Sequence, residues 1–326
     1  MTARDSIERI YIEKGADRYP AARHIMSMLP GRDIVEINSY KSILDRKRQD
    51  PRFQRGHIRA LVMGVKKGRF LYRQVRGCAL PGYGPWYMSP VTGCLHDCSY
   101  CFVEKKYGCG HLVVFVNHED FIRRALEALA RKGGSGPPWI SFGYDSELIA
   151  FSDFFPAPGA MLDALSGKEG ELDPEPVVEI ITKSSSREPF RNRRPPGNLV
   201  LAFSIAPREI WRKHERSTAD PSARLETASW LLERGWRVAL RVDPVLPVRN
   251  CAPMYLEFLE GLQAWPGLGR LTFFEIGALR YPGKSGRAGF MGLTEIGEAD
   301  YRMGLGALQE YAAKRIPAPL IFAPER

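Results

Sequence analysis

Short apolar runs alternate along this 326-residue chain with longer segments whose apolar positions recur at helical spacing. The runs Tyr87–Val91, Leu112–Val116, Trp139–Phe142, Val177–Thr182, Leu199–Ser204, Trp236–Val242 and Arg270–Ile276 predict strands. Most are continuously apolar, as strands covered on both faces are. Between them, "NHEDFIRRALEALARKGG" predicts a helix with Asn117 as N-cap, acids in its first turn and Gly133 and Gly134 as the stop. "DPSARLETASWLLERG" repeats the arrangement, with Asp220 as cap, Pro221 at the first helical position and Gly235 at the end. "APMYLEFLEGLQAW" supplies another helix. From Trp139 onward the strand starts recur at roughly 20 to 40 residues, the spacing of βα units, which argues for a parallel, barrel-like sheet. Residues 1–76 read as a separate N-terminal α/β lobe, joined to a barrel over 77–290 through "GCALPGYGPW", with a C-terminal helical extension over 291–326. "SGKEGELDPEPV", at 166–177, reads as a linker, and the chain has no internal repeat.

Length and composition narrow the class. A chain of this size buries a core without staples. The charged start, "MTARDSIERIYIEKGADRYPAARH", lacks the apolar run of a signal peptide, and no 18-residue apolar stretch occurs. The expectation is a cytoplasmic protein with no membrane partner, in which clustered cysteines serve a metal or redox site rather than disulfides. The formal charge of +10 is concentrated, because residues 41 to 76 hold twelve Lys or Arg against Asp45 and Asp50. Such a window favours a polyanion such as nucleic acid, or is simply a solvated basic face. A second basic run, "REPFRNRRPP" at 187–196, reads as a loop.

Candidate chemistry concentrates in "TGCLHDCSYCFVEKKYGCGH", residues 92 to 111. Cys94, Cys98 and Cys101 form C-x3-C-x2-C directly after a candidate strand. Three thiolates on one loop can hold three irons of a 4Fe-4S cubane and leave the fourth iron open, whereas a closed electron-transfer cluster takes four cysteines. Tyr100 and Phe102 can shield the cluster and offer a flat face to an adenine. A rival set, Cys98, Cys101, Cys109 and His111, has a spacing suited to structural zinc and would make the chain a zinc-stabilised nucleic-acid-binding protein without catalysis. In that case Cys94 has no role, and with the three-cysteine set His96 and His111 read as surface or polar-contact residues. The chain has no G-x4-GK[ST] phosphate loop, HExxH or G-x-S-x-G elbow.

The triad followed by an aromatic resembles the signature of radical S-adenosylmethionine (radical SAM) enzymes, and "SPVTGCLHDCSYCFVEK" resembles their spore photoproduct lyase branch. "IYIEKGADRYPAARHI", "RALVMGVKKG", "EIITKSS", "LAFSIAP" and "LTFFEIGALRY" extend the similarity over roughly residues 8 to 290. The resemblance implies a partial parallel (β/α)6 TIM-type barrel. It implies a 4Fe-4S cluster on Cys94, Cys98 and Cys101 whose open iron binds S-adenosyl-L-methionine, cleaved reductively to a 5′-deoxyadenosyl radical. It further implies DNA photoproduct repair by lyase chemistry, with an electron donor such as flavodoxin or ferredoxin. By motif match, Lys183, Ser204 and Ser146 fall where the family contacts the cofactor, and Phe102 stands near it in place of a tyrosine. Arg280 and Tyr281 match a family pair at the substrate pocket. Asp243 and Glu275 end two candidate strands, where a carboxylate can hold ribose hydroxyls or cap a following loop.

The same resemblance exposes departures. The family carries a hydrogen-donating cysteine after its second barrel strand, and "SFGYDSE" places Tyr144 there. Tyr144 can donate hydrogen in its stead, with Tyr100 joining it, and Cys251 beyond a later strand is a remoter candidate. The departure equally permits a radical enzyme acting on tRNA, a peptide or a small metabolite. Cys78, in the Gly-rich linker, reads as a plain small residue, and Trp211 and Trp236 as packing residues.

Overall fold

The computed structural model describes residues 7–46, 49–50, 54, 59–74, 79–130, 136–166, 176–215, 217–279 and 294–323. Two sheets organise them. The first runs β2 (Asp33–Ile37), β1 (Ile7–Glu13) and β3 (Arg59–Gly64), all parallel, with β3 at its centre. β7 (Leu112–Phe115) extends it beside β3, and the two-residue β6 (Val91–Thr92) closes that edge antiparallel to β7. Helices α1 (Pro20–Ser27) and α2 (Lys41–Leu44) link β1 to β2 and β2 to β3.

The second sheet is the partial barrel. It runs β5 (Gly84–Met88), β8 (Pro138–Phe142), β9 (Val177–Thr182), β10 (Leu199–Ser204), β11 (Arg237–Val245), β12 (Phe274–Ala278) and β13 (Leu320–Ala323), each parallel to the next. A short antiparallel β4 (Tyr72–Arg73) borders β5. Helices α4 (His118–Leu129), α5 (Ala157–Ser166), α6 (Arg208–His214), α7 (Pro221–Glu233), α8 (Cys251–Leu262) and α9 (Glu298–Arg315) connect the strands.

The structure departs from the sequence reading at several points. The run Tyr87–Val91 is two strands, because Pro90 lacks the N–H a ladder needs; β5 stays in the barrel and β6 crosses to the first sheet. Leu112–Phe115 belongs to the first sheet, so sheet membership does not follow chain order across residue 76. A seventh parallel strand among the described residues, β13, follows α9, and its four-residue apolar "LIFA" is too short to signal a strand without its partner β12. Asp220 caps α7 by accepting from Ser222 N–H (2.9 Å). Asn117 makes no such cap; its side chain bridges Lys66 N–H (2.8 Å) and C=O (3.0 Å), tying α4 to the first sheet.

The barrel interior carries a buried ionic floor. Arg241 lies between Glu179 (2.6 Å) and Glu275, and Glu179 also accepts from Trp139 Nε1–H (3.0 Å) and Ser141 Oγ–H (3.2 Å). All three charges are buried, a state tolerated only with this pairing. Glu275 is thus committed to Arg241 and is not a ribose ligand at the mouth. Trp236 packs edge-on against Phe190, as a core residue.

Candidate active site

The cysteine loop is an excursion from the first sheet that reaches the barrel mouth. It leaves β6 through Gly93, whose φ of 89° and the 2.8 Å approach of His111 O to a would-be Cβ leave room only for glycine. It ends in α3 (Phe102–Tyr107) and returns to β7. The loop is pinned to the turn after α6: Asp97 N–H donates to Ser217 Oγ (2.8 Å), Ser99 N–H to His214 O (3.0 Å), and Ser99 Oγ meets His214 Nδ1 at 2.8 Å.

Cys94, Cys98 and Cys101 all line one cavity at the C-terminal ends of the barrel strands, the end at which barrel active sites are built. Across it stand Tyr144 and Ser146 after β8, Lys183 after β9, Ser204 ending β10 and Asp243 near the end of β11, with Phe102 beside the cysteines. Sequence reasoning therefore named seven residues beyond the triad that the fold brings to one space, Tyr100 included. Cys251 is not among the lining residues; it is buried at the start of α8, and burial pushes its thiol up to about 12. It is withdrawn as a hydrogen donor, because a strand-end loop that points toward the mouth in sequence folds back into the helix layer. Arg280, Tyr281 and Cys78 lie outside the described residues.

Lys183 is held by both its ends. Its backbone N–H donates to Glu147 Oε2 (2.7 Å), and its Nζ donates to Ser204 Oγ (2.8 Å) and lies 3.8 Å from Glu215. Glu215 is the hub of this wall: it accepts from the Tyr100 hydroxyl and pairs with Arg224 at 2.7 Å, while Arg224 also donates to Ser204 O (2.6 Å). Burial opposes the Glu215 charge, but Lys183, Arg224 and the Tyr100 hydroxyl outweigh it and hold the carboxyl below its ordinary range. Burial, and then the Glu215 charge, drive the Tyr100 phenol well up. Its proton is therefore committed to Glu215. Glu147 closes a second knot, accepting from Thr182 Oγ1 (2.9 Å) and from the backbone N–H groups of Ile149 (2.8 Å) and Ala150 (3.1 Å). Asp243 lies against β12 at Gly277, where a Cβ would meet its Oδ1 at 2.2 Å.

The opposite wall is aromatic. The Tyr144 ring lies 5.0 Å from Tyr87 and 5.4 Å from Phe102, within the range of favourable ring contacts. Lys106 Nζ stands 4.8 Å from the Tyr87 centroid and 5.8 Å from that of Tyr144, and pairs with the fully buried Asp145 at 2.9 Å. Asp145 also accepts from Ser89 Oγ (2.6 Å) and the Tyr107 hydroxyl (2.7 Å).

The donor set suits an iron–sulfur cluster. Burial pushes the Cys94 thiol up to about 12 and holds the Cys98 thiol well above its ordinary value, so thiolates form here only beside a compensating cation. Among the described residues no three His, Cys, Asp or Glu side chains sit close enough to hold a single ion. The zinc quartet is not assembled: Cys109 and His111 are off the cavity wall, and His111 Nδ1 accepts from Ala60 N–H (3.2 Å). His96, read from sequence as a surface or polar-contact residue, is instead buried on the cavity wall. The residues that sequence reasoning missed, Glu147, Glu215, Arg224 and Arg241, carry no local motif. Only three-dimensional pairing reveals them.

Comparison with known proteins agrees with this geometry. The model of the spore photoproduct lyase family matches residues 6–281. A curated spore photoproduct lyase of Clostridium acetobutylicum is 24% identical over 262 residues, 77% of this chain and 72% of that protein. Among solved structures, a spore photoproduct lyase with dinucleoside spore photoproduct aligns with a TM-score of 0.74 at 15% identity, covering 98% of this chain and 99% of that one. A variant with bound AdoMet and the same photoproduct aligns with a TM-score of 0.76 at 16% identity and the same coverage. With the family model spanning most of its length, this chain belongs to the spore photoproduct lyase family, within the radical S-adenosylmethionine superfamily.

Proposed function

We propose that the chain is a radical S-adenosylmethionine lyase that reverses a thymine photoproduct in DNA, with Tyr144 returning the hydrogen atom that completes the repair. The observation that carries this reading is the placement of Tyr144 across a single cavity from Cys94, Cys98 and Cys101, with the Lys183–Ser204 pair on the same wall system. When bound, the 4Fe-4S cluster and S-adenosyl-L-methionine supply a one-electron reductive cleavage whose carbon radical abstracts hydrogen from substrate.

The chain's own residues hold and orient. Cys94, Cys98 and Cys101 ligate three irons. Lys183 offers a compact cation, and Ser204 and Ser146 offer hydroxyls, to an amino-acid carboxylate. Asp243 faces the cavity as an acceptor for ribose hydroxyls, and Phe102 gives an adenine a flat apolar contact. Glu147 and Glu215 fix Lys183 so that its ammonium stays directed at the cavity. Tyr144 donates its phenolic hydrogen to the substrate carbon radical and becomes a phenoxyl, which one electron from the flavodoxin- or ferredoxin-type donor and one proton from solvent return to the phenol before the next turnover. Tyr100, bonded to Glu215, supports the wall. A flavodoxin- or ferredoxin-type donor in a reducing cytoplasm suits this chemistry. DNA as substrate is supported by the relatives solved with dinucleoside spore photoproduct.

A second reading keeps the radical chemistry and changes the substrate to tRNA, a peptide or a small metabolite; Tyr144, standing where the resemblance places a hydrogen-donating cysteine, favours it. Anaerobic reconstitution separates the readings. About four irons and four sulfides per chain, with reductant-dependent 5′-deoxyadenosine, are expected under both. Thymine-containing product from the dinucleoside spore photoproduct is expected only under the first, and its absence beside abundant deoxyadenosine would reject lyase function.

A further inference from the structure

His96 occupies the middle of the three-residue spacer between Cys94 and Cys98. It is only 7% exposed, it lines the cavity with the three thiols, and neither ring nitrogen has a hydrogen-bond partner among the described residues. Its main chain already faces a ligand sulfur, since His96 N–H donates to Cys94 Sγ at 3.4 Å. One ring neighbour is Phe151, at 5.2 Å between centroids, which offers no lone pair. The nearby carboxylates are engaged elsewhere: Glu147 by Thr182, Lys183 N–H, Ile149 and Ala150, and Glu215 by Tyr100 and Arg224.

A buried imidazole bonded at neither nitrogen is costly, and native proteins seldom leave such a group unsatisfied. The polar partner it lacks must therefore come from what fills the cavity. A neutral imidazole has one N–H to give, and the species that three thiolates gather there presents thiolate and sulfide sulfurs as acceptors. We infer that the His96 imidazole donates a hydrogen bond to a sulfur of the cluster held by Cys94, Cys98 and Cys101, and thereby makes that cluster easier to reduce. The inference rests on the cluster assignment above. Its sign follows from charge: reduction adds negative charge to the sulfurs, so a donor stabilises the reduced form more than the oxidised one, and hydrogen bonds to cluster sulfurs tune potential in this way.

The test uses the cluster-loaded full chain with 15N-labelled histidine, reduced without S-adenosyl-L-methionine. Pulsed EPR is expected to show an exchangeable proton and a 15N nucleus coupled to the cluster. His96→Leu should lose both, whereas His96→Gln should lose the 15N coupling and keep the proton. In a redox titration the reduced-to-oxidised ratio at fixed ambient potential should fall about tenfold in His96→Leu, equivalent to about 59 mV for a one-electron couple, with partial recovery in His96→Gln. A wild-type spectrum without 15N coupling, or one whose coupling survives in His96→Gln, overturns the inference. So does a ratio that changes only once S-adenosyl-L-methionine is added, because the acceptor is then the cofactor. Should His96→Leu fail to load, the 15N comparison of wild type with His96→Gln decides. Failure of the wild type to take up iron and sulfide at all would sink the cluster assignment itself, and metal analysis reveals that before any spectrum is taken.

Discussion

The two walls of the cavity are built by different physics. The wall holding Lys183 and Tyr100 is over-determined by buried charge: Glu215, Arg224 and Glu147 each make several hydrogen bonds, and Arg224 is wholly buried. The wall holding Tyr144 is an aromatic stack that carries the Lys106–Asp145 ion pair, whose lysine side chain is 27% exposed. A network of buried charges punishes any single change, because each loss strands a partner in low dielectric. A ring stack tolerates exchange of one ring for another. Phe102 and Tyr144, the two positions at which the sequence reading expects a departure from the family, lie in contact with each other on this second wall.

The largest expected effect follows from removing Arg224. In Arg224→Leu the Glu215 carboxylate keeps Lys183 at 3.8 Å but loses its close partner, and breaking a buried pair in this way costs about 3–5 kcal/mol. Thermal unfolding of the cluster-free protein should shift down accordingly, and iron retention should fall with it as Tyr100 and the cysteine loop loosen. A variant with wild-type melting and iron content would mean that the charged wall is not over-determined.

Tyr144→Phe is the converse case. It keeps the ring contacts with Tyr87 and Phe102 and removes only the hydroxyl, so melting temperature, iron content and 5′-deoxyadenosine formation should stay near wild type. Formation of the hydrogen-returned product should fall at least about 100-fold, or roughly 2.7 kcal/mol. Tyr144→Cys should recover part of it. Retention of full product formation in Tyr144→Phe would exclude Tyr144 as the donor. A smaller effect on product is expected at Lys106→Met: the buried Asp145 loses both bonds from Lys106 Nζ but keeps Ser89 and Tyr107 as donors, so the stability loss should approach the ~3–5 kcal/mol of a broken buried pair, reduced by the exposure of the lysine. Product yield should drop modestly through looser placement of the neighbouring Tyr144.

The same contrast explains what the sequence revealed. Cys94, Cys98 and Cys101 are read at once because metal spacing is local, and β9 and β10 were placed to the residue because continuous apolar runs are local too. Lys183, Ser204 and Ser146 reached the cavity through their place at strand ends. The charged wall was illegible because Glu215 and Arg224 are ordinary residues of a helix end and a helix face until the fold buries them together. His96 was misread for a related reason: a histidine in a polar loop carries no sign that the loop will turn it inward. Cys251 failed in the opposite direction, since chain position beyond a strand does not say whether the following helix carries the side chain to the mouth or into the core.

The subtlest way to separate the walls is acid. Burial works to raise the Glu215 carboxyl, yet Lys183, Arg224 and Tyr100 hold its native pKa below the ordinary 4.5. Near that value the unfolded chain therefore binds more protons at this site than the folded one, and stability rises with pH there. The stabilisation from Glu215 is complete above the unfolded value and is lost as pH falls through the lower folded one. For cluster-free protein, since acid itself strips iron, the wild-type melting temperature should decline as pH drops below about 4.5. Glu215→Gln should start lower at neutral pH and decline less steeply over the same interval. Parallel curves for the two proteins would show that the charged wall does not depend on ionised Glu215, and the distinction between the two walls would then rest on packing rather than on charge.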